Sequence, residues 1–177
     1  DKVAIYMESN LDSDYGKMGM GVIRYLTNKI TCVIDSNHAG KNIQLFIKTN
    51  RNIPIVQSLE IAIEKKSSVL ILGIAPSGGK IPKEWNPIIE KALKSGLSIV
   101  NGLHELLFPS WKDLIKKNEN QWIWDVRMPL FVPEIATGKV SKLKNKRILF
   151  IGTDMAVGKM TAALEIYSFL IKKRESV

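Results

Sequence analysis

Short apolar runs alternate with amphipathic stretches along most of this chain, and that alternation predicts strands and helices in turn. Residues 3–7 read as a first strand. A polar loop follows, and from Gly16 onward Met18, Val22, Ile23, Tyr25 and Leu26 fall at helical spacing. Residues 30–34 make a short, β-branched second strand that ends at Asp35. A third strand spans 53–56, where Pro54 points to a sheet edge or a strand start. Ser58 stands where it caps a helix whose Leu59, Ala62 and Ile63 share one face.

The second half repeats this logic. Residues 69–74 (VLILGI) are continuously apolar, as expected of a strand buried on both faces. The loop APSGGK at 75–80 leads to a helix with Trp85, Ile88, Ile89, Ala92 and Leu93 in register, and Gly96 ends it. Further strands are expected at 97–100 and 123–126. Such alternation predicts an α/β fold with a Rossmann-like, doubly wound parallel sheet. The strand ends at Glu8, Asp35, Ile74 and Val100 then line one crevice, because ligands bind at the carboxyl ends of such strands.

A second pattern begins after a basic stretch. The apolar run 148–151 is followed by GTDMAVGKMT, residues 152–161, and then by an amphipathic segment at 162–171. A strand, a Gly-Lys loop and a helix in that order are the context of a phosphate-binding loop. The candidate residues are Gly152, Thr153, Asp154, Met155, Ala156, Val157, Gly158, Lys159, Met160 and Thr161. Loop N–H groups and the positive end of the helix would surround an anion, with Lys159 adding a point charge. The common spacing is GxxxxGK[ST]; here the loop is one residue longer, and Met160 replaces the magnesium-binding hydroxyl. Thr161 lies one position late. Phosphate binding is therefore better supported than magnesium-dependent hydrolysis, the plain alternative being a glycine turn with a surface lysine.

Charge and composition narrow the function classes. Of the net charge of +9, most lies in residues 139–177, which hold nine Lys/Arg against three Asp/Glu. Lys139, Lys142, Lys144, Lys146 and Arg147 cluster ahead of the loop without interleaved aromatics, so a solvated linker is preferred to a nucleic-acid surface. Attraction of a polyphosphate toward the loop is the second use of this charge. No apolar run approaches the roughly 18 residues that span a bilayer. The single Cys32 sits in an apolar run, which excludes an internal disulfide framework and fits a cytoplasmic setting. His38 and His104 lack partners at ligand spacing, so no metal site is expected.

The first strand–loop–helix offers weaker candidates. Gly16, Gly19 and Gly21 approach a dinucleotide fingerprint without matching GxGxxG, and Asp35 stands where a ribose-binding carboxylate would. Close helix packing by the glycines and a capping role for Asp35 explain the same residues equally well. Gly16, Lys17, Asp35, Ser36 and the turn Ser77, Gly78, Gly79 are the candidate contacts on this side.

The segments GKMGMGVIRY, VIDSNHAGK, IPIVQSLEIA, LILGIAPSGGKIPKEW, VNGLHELL, WDVRMP, ATGK and GTDMAVGKMTAALE together resemble, in the same order, the DUF1611 family. That resemblance implies an N-terminal Rossmann-like domain joined to a C-terminal P-loop domain, with Met160 as the family's usual residue. It also implies an activity, since some members are D-glutamate N-acetyltransferases that use acetyl-CoA. The loop spacing is further similar to dethiobiotin synthetase, which carries Thr where this chain has Met160.

The expected layout is a Rossmann-like domain at 1–138, a basic linker at 139–146, and at 147–177 the first strand, loop and helix of a truncated P-loop NTPase-like domain. Three functions remain open at this point. The first is acetyl transfer from acetyl-CoA to D-glutamate, with the catalytic base not identified. The second is an ATP- and magnesium-dependent ligase of the dethiobiotin synthetase type. The third is a nucleotide- or CoA-binding module without catalysis. Each implies a small-molecule substrate or ligand rather than nucleic acid or membrane, and each is compatible with a homo-oligomer.

Overall fold

Residues that alternate in and out of a core along one strand need a layer on each side of the sheet, and this chain supplies both. The computed structural model describes residues 1–116, 120–132, 134–135, 137–154, 157–175 and 177. Its contacts divide into two units, Asp1–Leu130 and Phe131–Val177.

In the first unit the strands are β1 (Lys2–Tyr6), β2 (Lys29–Ile34), β3 (Ile55–Val56), β4 (Val69–Leu72), β5 (Ser98–Asn101) and β6 (Ile123–Asp125). They pair in parallel, in the order β3-β2-β1-β4-β5-β6. This is the doubly wound order, in which the chain starts in the middle and builds outward in both directions. The helices are α1 (Lys17–Tyr25), α2 (Leu59–Glu64), α3 (Asn86–Lys94) and α4 (Phe108–Trp111).

β1 shows how the layers arise. Val3, Ile5 and Met7 pack with Ile23 of α1 and with Leu11, Val33 and Ile71. Ala4 and Tyr6 face the other way, toward Leu59 and Ala62 of α2 and Ile89 and Leu93 of α3. Each large apolar side chain so buried contributes about 1.5–3 kcal/mol relative to exposure. Tyr6 meets Trp85 edge to face at 5.5 Å between ring centroids, an arrangement that suits the ring quadrupoles.

Element ends follow local chemistry. Pro54 has no N–H for a ladder, so β3 begins after it and lies at the sheet edge. Ser58 occupies the N-cap position of α2 without a side-chain cap bond. Gly96, at φ 86°, closes α3 with hydrogen bonds from Gly96 N–H to the Leu93 carbonyl and from Leu97 N–H to the Ala92 carbonyl. Trp85 ends a short 3-10 turn (Lys83–Trp85) that leads directly into α3.

The second unit carries a 3-10 turn (Lys139–Lys142) and the helix α5 (Lys159–Lys172). Arg147 folds back to donate to the carbonyls of Val140 and Leu143, and Lys139 pairs with Glu134 at 2.7 Å. Residues 148–151, expected as a buried strand, are not a strand here, and Ile148, Leu149 and Ile151 are exposed. The reason is elementary: a strand needs a hydrogen-bonding neighbour, and no other described segment of this unit is one. Among the described residues, no helix is long and apolar enough to cross a membrane.

Candidate functional site

All strands of the first unit run parallel, so the loops after β1, β2, β4 and β5 emerge on one edge. Asp35 and Gly79 share that edge, but they serve different places on it.

Asp35 lies fully buried at the end of β2. One oxygen accepts from Leu11 N–H at 3.2 Å and the other from Asn37 N–H at 3.0 Å. It therefore ties the loop after β1 to the 3-10 turn Ser36–His38. The His38 ring stacks edge to face on Phe46, with its Nδ1 3.4 Å from Asp35 Oδ1 but outside hydrogen-bond geometry. Its Nε2 is 3.6 Å from Asp12. Ser36 donates its N–H to Glu8 at 2.9 Å, and its hydroxyl bonds the same carboxylate. Lys17 is exposed and paired with Asp14 at 3.0 Å.

Packing explains two of the glycines of this region, Gly16 and Gly19. A Cβ on Gly16 would strike the Asn10 carbonyl at 2.2 Å. One on Gly19 would strike Met7 Sδ at 2.5 Å, and Gly19 already donates its N–H to the Gly73 carbonyl. Gly21 has open space around it.

Burial and nearby carboxylates also set two titrations here. The Tyr6 phenol is pushed up to about 12, chiefly by burial and then by Glu8 and Glu84. Burial likewise raises the Cys32 thiol, against weaker opposing hydrogen bonds and the charge of Lys65.

On the other side of β1 the loops after β4, β5 and β6 enclose a cleft of about 290 Å³. Tyr15 ties down the loop after β4: its carbonyl accepts from Ala75 N–H at 2.9 Å and its hydroxyl lies 3.2 Å from that of Ser77. Gly78 and Gly79 turn with φ of 77° and 64°, a region that favours glycine. The far wall is fixed by a buried pair that sequence reasoning missed, Asn101 and Asp125. Asn101 Nδ2 donates to Asp125 at 2.8 Å, and the same carboxylate accepts from Leu107 and Phe108 N–H, both at 2.9 Å. Arg127, next to this pair, donates its Nε–H to the Gly102 carbonyl at 2.7 Å. The signal for the pair was present as a polar residue closing each apolar strand.

In the second unit, Gly158 adopts φ 93° immediately before α5, and Lys159 is the helix's first residue. A Cβ on Gly152 would meet the Val157 side chain at 2.7 Å and the Lys159 stem at 3.0 Å, so any larger residue there would push these side chains aside. The Lys159 ammonium reaches back over the loop to the Asp154 carbonyl. Thr153, Val157, Met160 and Thr161 are exposed, while Met155 and Ala156 lie outside the described residues. A glycine in the left-handed region, a helix start and a folded-back lysine are features that anion-binding loops share.

Residues 36–129 match the DUF1611 N-terminal domain, a domain of unknown function described as Rossmann-like, and residues 134–174 match its C-terminal P-loop domain. The chain belongs to the DUF1611 family. A crystal structure of a DUF1611 family protein from Anabaena variabilis is similar, at 38% identity and a TM-score of 0.87, covering 97% of this chain and 50% of that one. Two curated relatives are named D-glutamate N-acetyltransferase. The one from a Pseudoalteromonas species is 42% identical over 102 residues, which is 56% of this chain and 30% of the relative. The one from Tritonibacter scottomollicae is 38% identical over 109 residues, 60% of this chain and 32% of the relative. The matches thus span about a third of these relatives' length.

Proposed function

We propose that the protein carrying this chain is an N-acetyltransferase that moves acetyl from acetyl-CoA to the amino group of D-glutamate. The observation that carries this reading is a pairing within one chain. A segment 42% identical to a D-glutamate N-acetyltransferase accompanies a glycine–lysine loop at a helix start. CoA bears a pyrophosphate and a 3′-phosphate, which suit fixed donors at a helix N-terminus. In the reaction the neutral amine nitrogen attacks the thioester carbonyl, a C–N bond forms as the C–S bond breaks, and the amine proton passes by way of a base to the departing thiolate, so that CoA leaves as its thiol. No hydroxyl for magnesium is required, so Met160 is no obstacle.

The test is acetyl-CoA consumption, read as free thiol, by the protein as its own gene encodes it. The reading expects thiol release that depends on D-glutamate. No turnover with either glutamate enantiomer overturns it. Phosphate release that needs ATP, magnesium and a carboxylic acid would favour a ligase of the dethiobiotin synthetase type instead.

A further inference from the structure

The geometry points to the cleft beside Arg127 as the seat of a small carboxylic acid, with the Arg127 guanidinium as its clamp. This deepens the acetyltransferase reading and rests on it for the identity of the acid, D-glutamate.

Size comes first. At about 290 Å³ the cleft sits at the small end of the roughly 300–1,000 Å³ found for ligand pockets, which fits a short acid and not a whole coenzyme. Position agrees, because the cleft opens at the carboxyl ends of the strands, where parallel α/β sheets bind ligands.

Charge comes next. The lining carries Arg127 and His104 and no acidic side chain. Glu105, the adjacent carboxylate in sequence, instead accepts from Ile81 N–H at 2.8 Å. Arg127 spends its Nε–H on the Gly102 carbonyl, and that bond fixes the plane of the guanidinium. Its two Nη groups have no carboxylate partner among the described residues, and such a fork matches a carboxylate bidentately.

The backbone donors favour a carboxylate over a polyphosphate. A phosphate cradle uses several free N–H groups. Here Gly79 N–H donates to the Pro76 carbonyl, His104 N–H to the Gly79 carbonyl, and Leu103 N–H to Asn101. Those three are spent within the protein, and the lining's charged donor is the Arg127 side chain. Met18, Pro76 and Leu103 supply apolar wall for a short methylene chain, and Gly78, with open space around its Cβ position, leaves the mouth clear.

Two measurements test the site. In the unaltered chain, glutarate titrated into the labelled protein should shift the amide resonances of Gly78, Gly79 and Gly102 and leave Gly40 and Gly96 in place, whereas neutral glutaramide should shift none. In the whole protein, Arg127→Gln should raise the KM for D-glutamate about ten- to a hundredfold with the KM for acetyl-CoA unchanged, and Arg127→Lys should recover part of the loss. Glutarate shifts confined elsewhere, or absent, overturn the site whatever the variant does. An unchanged KM for D-glutamate in a folded Arg127→Gln protein also overturns it while leaving the acetyltransferase reading standing. Glutarate binding at these glycines in a protein that acetylates neither enantiomer keeps the site and removes the reading.

Discussion

Gly19 of α1 donates its N–H to the carbonyl of Gly73, just beyond β4, at 2.8 Å, and neither residue has room for a Cβ. A Cβ on Gly73 would lie 3.1 Å from the Gly19 Cα and 2.7 Å from Ile5. The contact brings α1 against the sheet where the chain switches direction, between β1 and β4. It also spends an N–H from the first turn of α1 on protein, which is why the helix start here serves packing.

That contact predicts opposite outcomes for two glycines of one helix. Gly19→Ala should lower stability by about 1–3 kcal/mol, because Met7 and the Gly73 carbonyl cannot both retreat from an added methyl. Gly21→Ala should raise stability by roughly 0.5–1 kcal/mol, since Gly21 lies in the helix interior with nothing within 4 Å of its Cβ position. Urea unfolding midpoints of the two variants check this. A Gly19→Ala protein as stable as the parent would show that α1 is not pressed against β4.

The Asp35 carboxylate is a structural tie by its bonds to Leu11 and Asn37. Asp35→Asn keeps the shape but sets an amide N–H against one of those two backbone donors. Such a mismatch leaves a buried donor unsatisfied and should cost about 1–3 kcal/mol. Chemical denaturation measures the loss, and faster amide exchange at Leu11 and Asn37 would locate it. Full stability in Asp35→Asn would detach the loop after β1 from the carboxylate.

Much of this is legible in the sequence alone. The continuous run at 69–74 and the β-branched run at 30–34 gave central strands, because a parallel strand covered on both faces has no polar side to show. The glycines at 16 and 19 were ambiguous, since a phosphate approach and a helix approach both demand a missing Cβ. Only the distance from Gly19 to Gly73 separates them. Asn101 and Asp125 were not found because they lie 24 positions apart and meet only through the parallel pairing of β5 and β6. Arg127 was missed for the same reason. Residues 148–151 misled in the other direction: their pattern is that of a strand, but pattern supplies no partner.

Alkaline pH should destabilise the fold through Tyr6 and Cys32. Both groups are neutral when protonated, and burial raises both above their ordinary values. The stability they hold is fully present below the unfolded values and is lost as pH climbs toward the folded ones. For Tyr6 that window runs from about 10 to about 12. Tyr6→Phe should therefore flatten the fall in stability above pH 10. Ultraviolet titration should show one phenol ionising late in the parent and missing from the variant. A late phenol that persists in Tyr6→Phe would assign it to another tyrosine. In the same way, Cys32 should resist alkylation near pH 8 until denaturant opens the fold, because the thiolate is the reactive form and the side chain is buried.

Lys159 decides whether the second unit binds phosphate. Its ammonium now rests on the Asp154 carbonyl, so it is held over the loop at the start of α5 and need move little to meet an anion. Gly158 and Gly152 shape the backbone, but Lys159 is the only cationic side chain within residues 152–161. Lys159→Ala should weaken CoA or ATP by about ten- to a hundredfold, the worth of one charge-assisted hydrogen bond of about 1.5–3 kcal/mol. The unliganded melting temperature should hardly change, since the side chain is only partly covered and surface substitutions stay near ±0.5 kcal/mol. Titrating parent and variant with CoA and with ATP separates the two ligands in one experiment. A loss for CoA supports acetyl transfer, and a loss for ATP alone supports the ligase. Equal affinities in parent and variant would make the loop a structural turn, whatever its resemblance to a phosphate site.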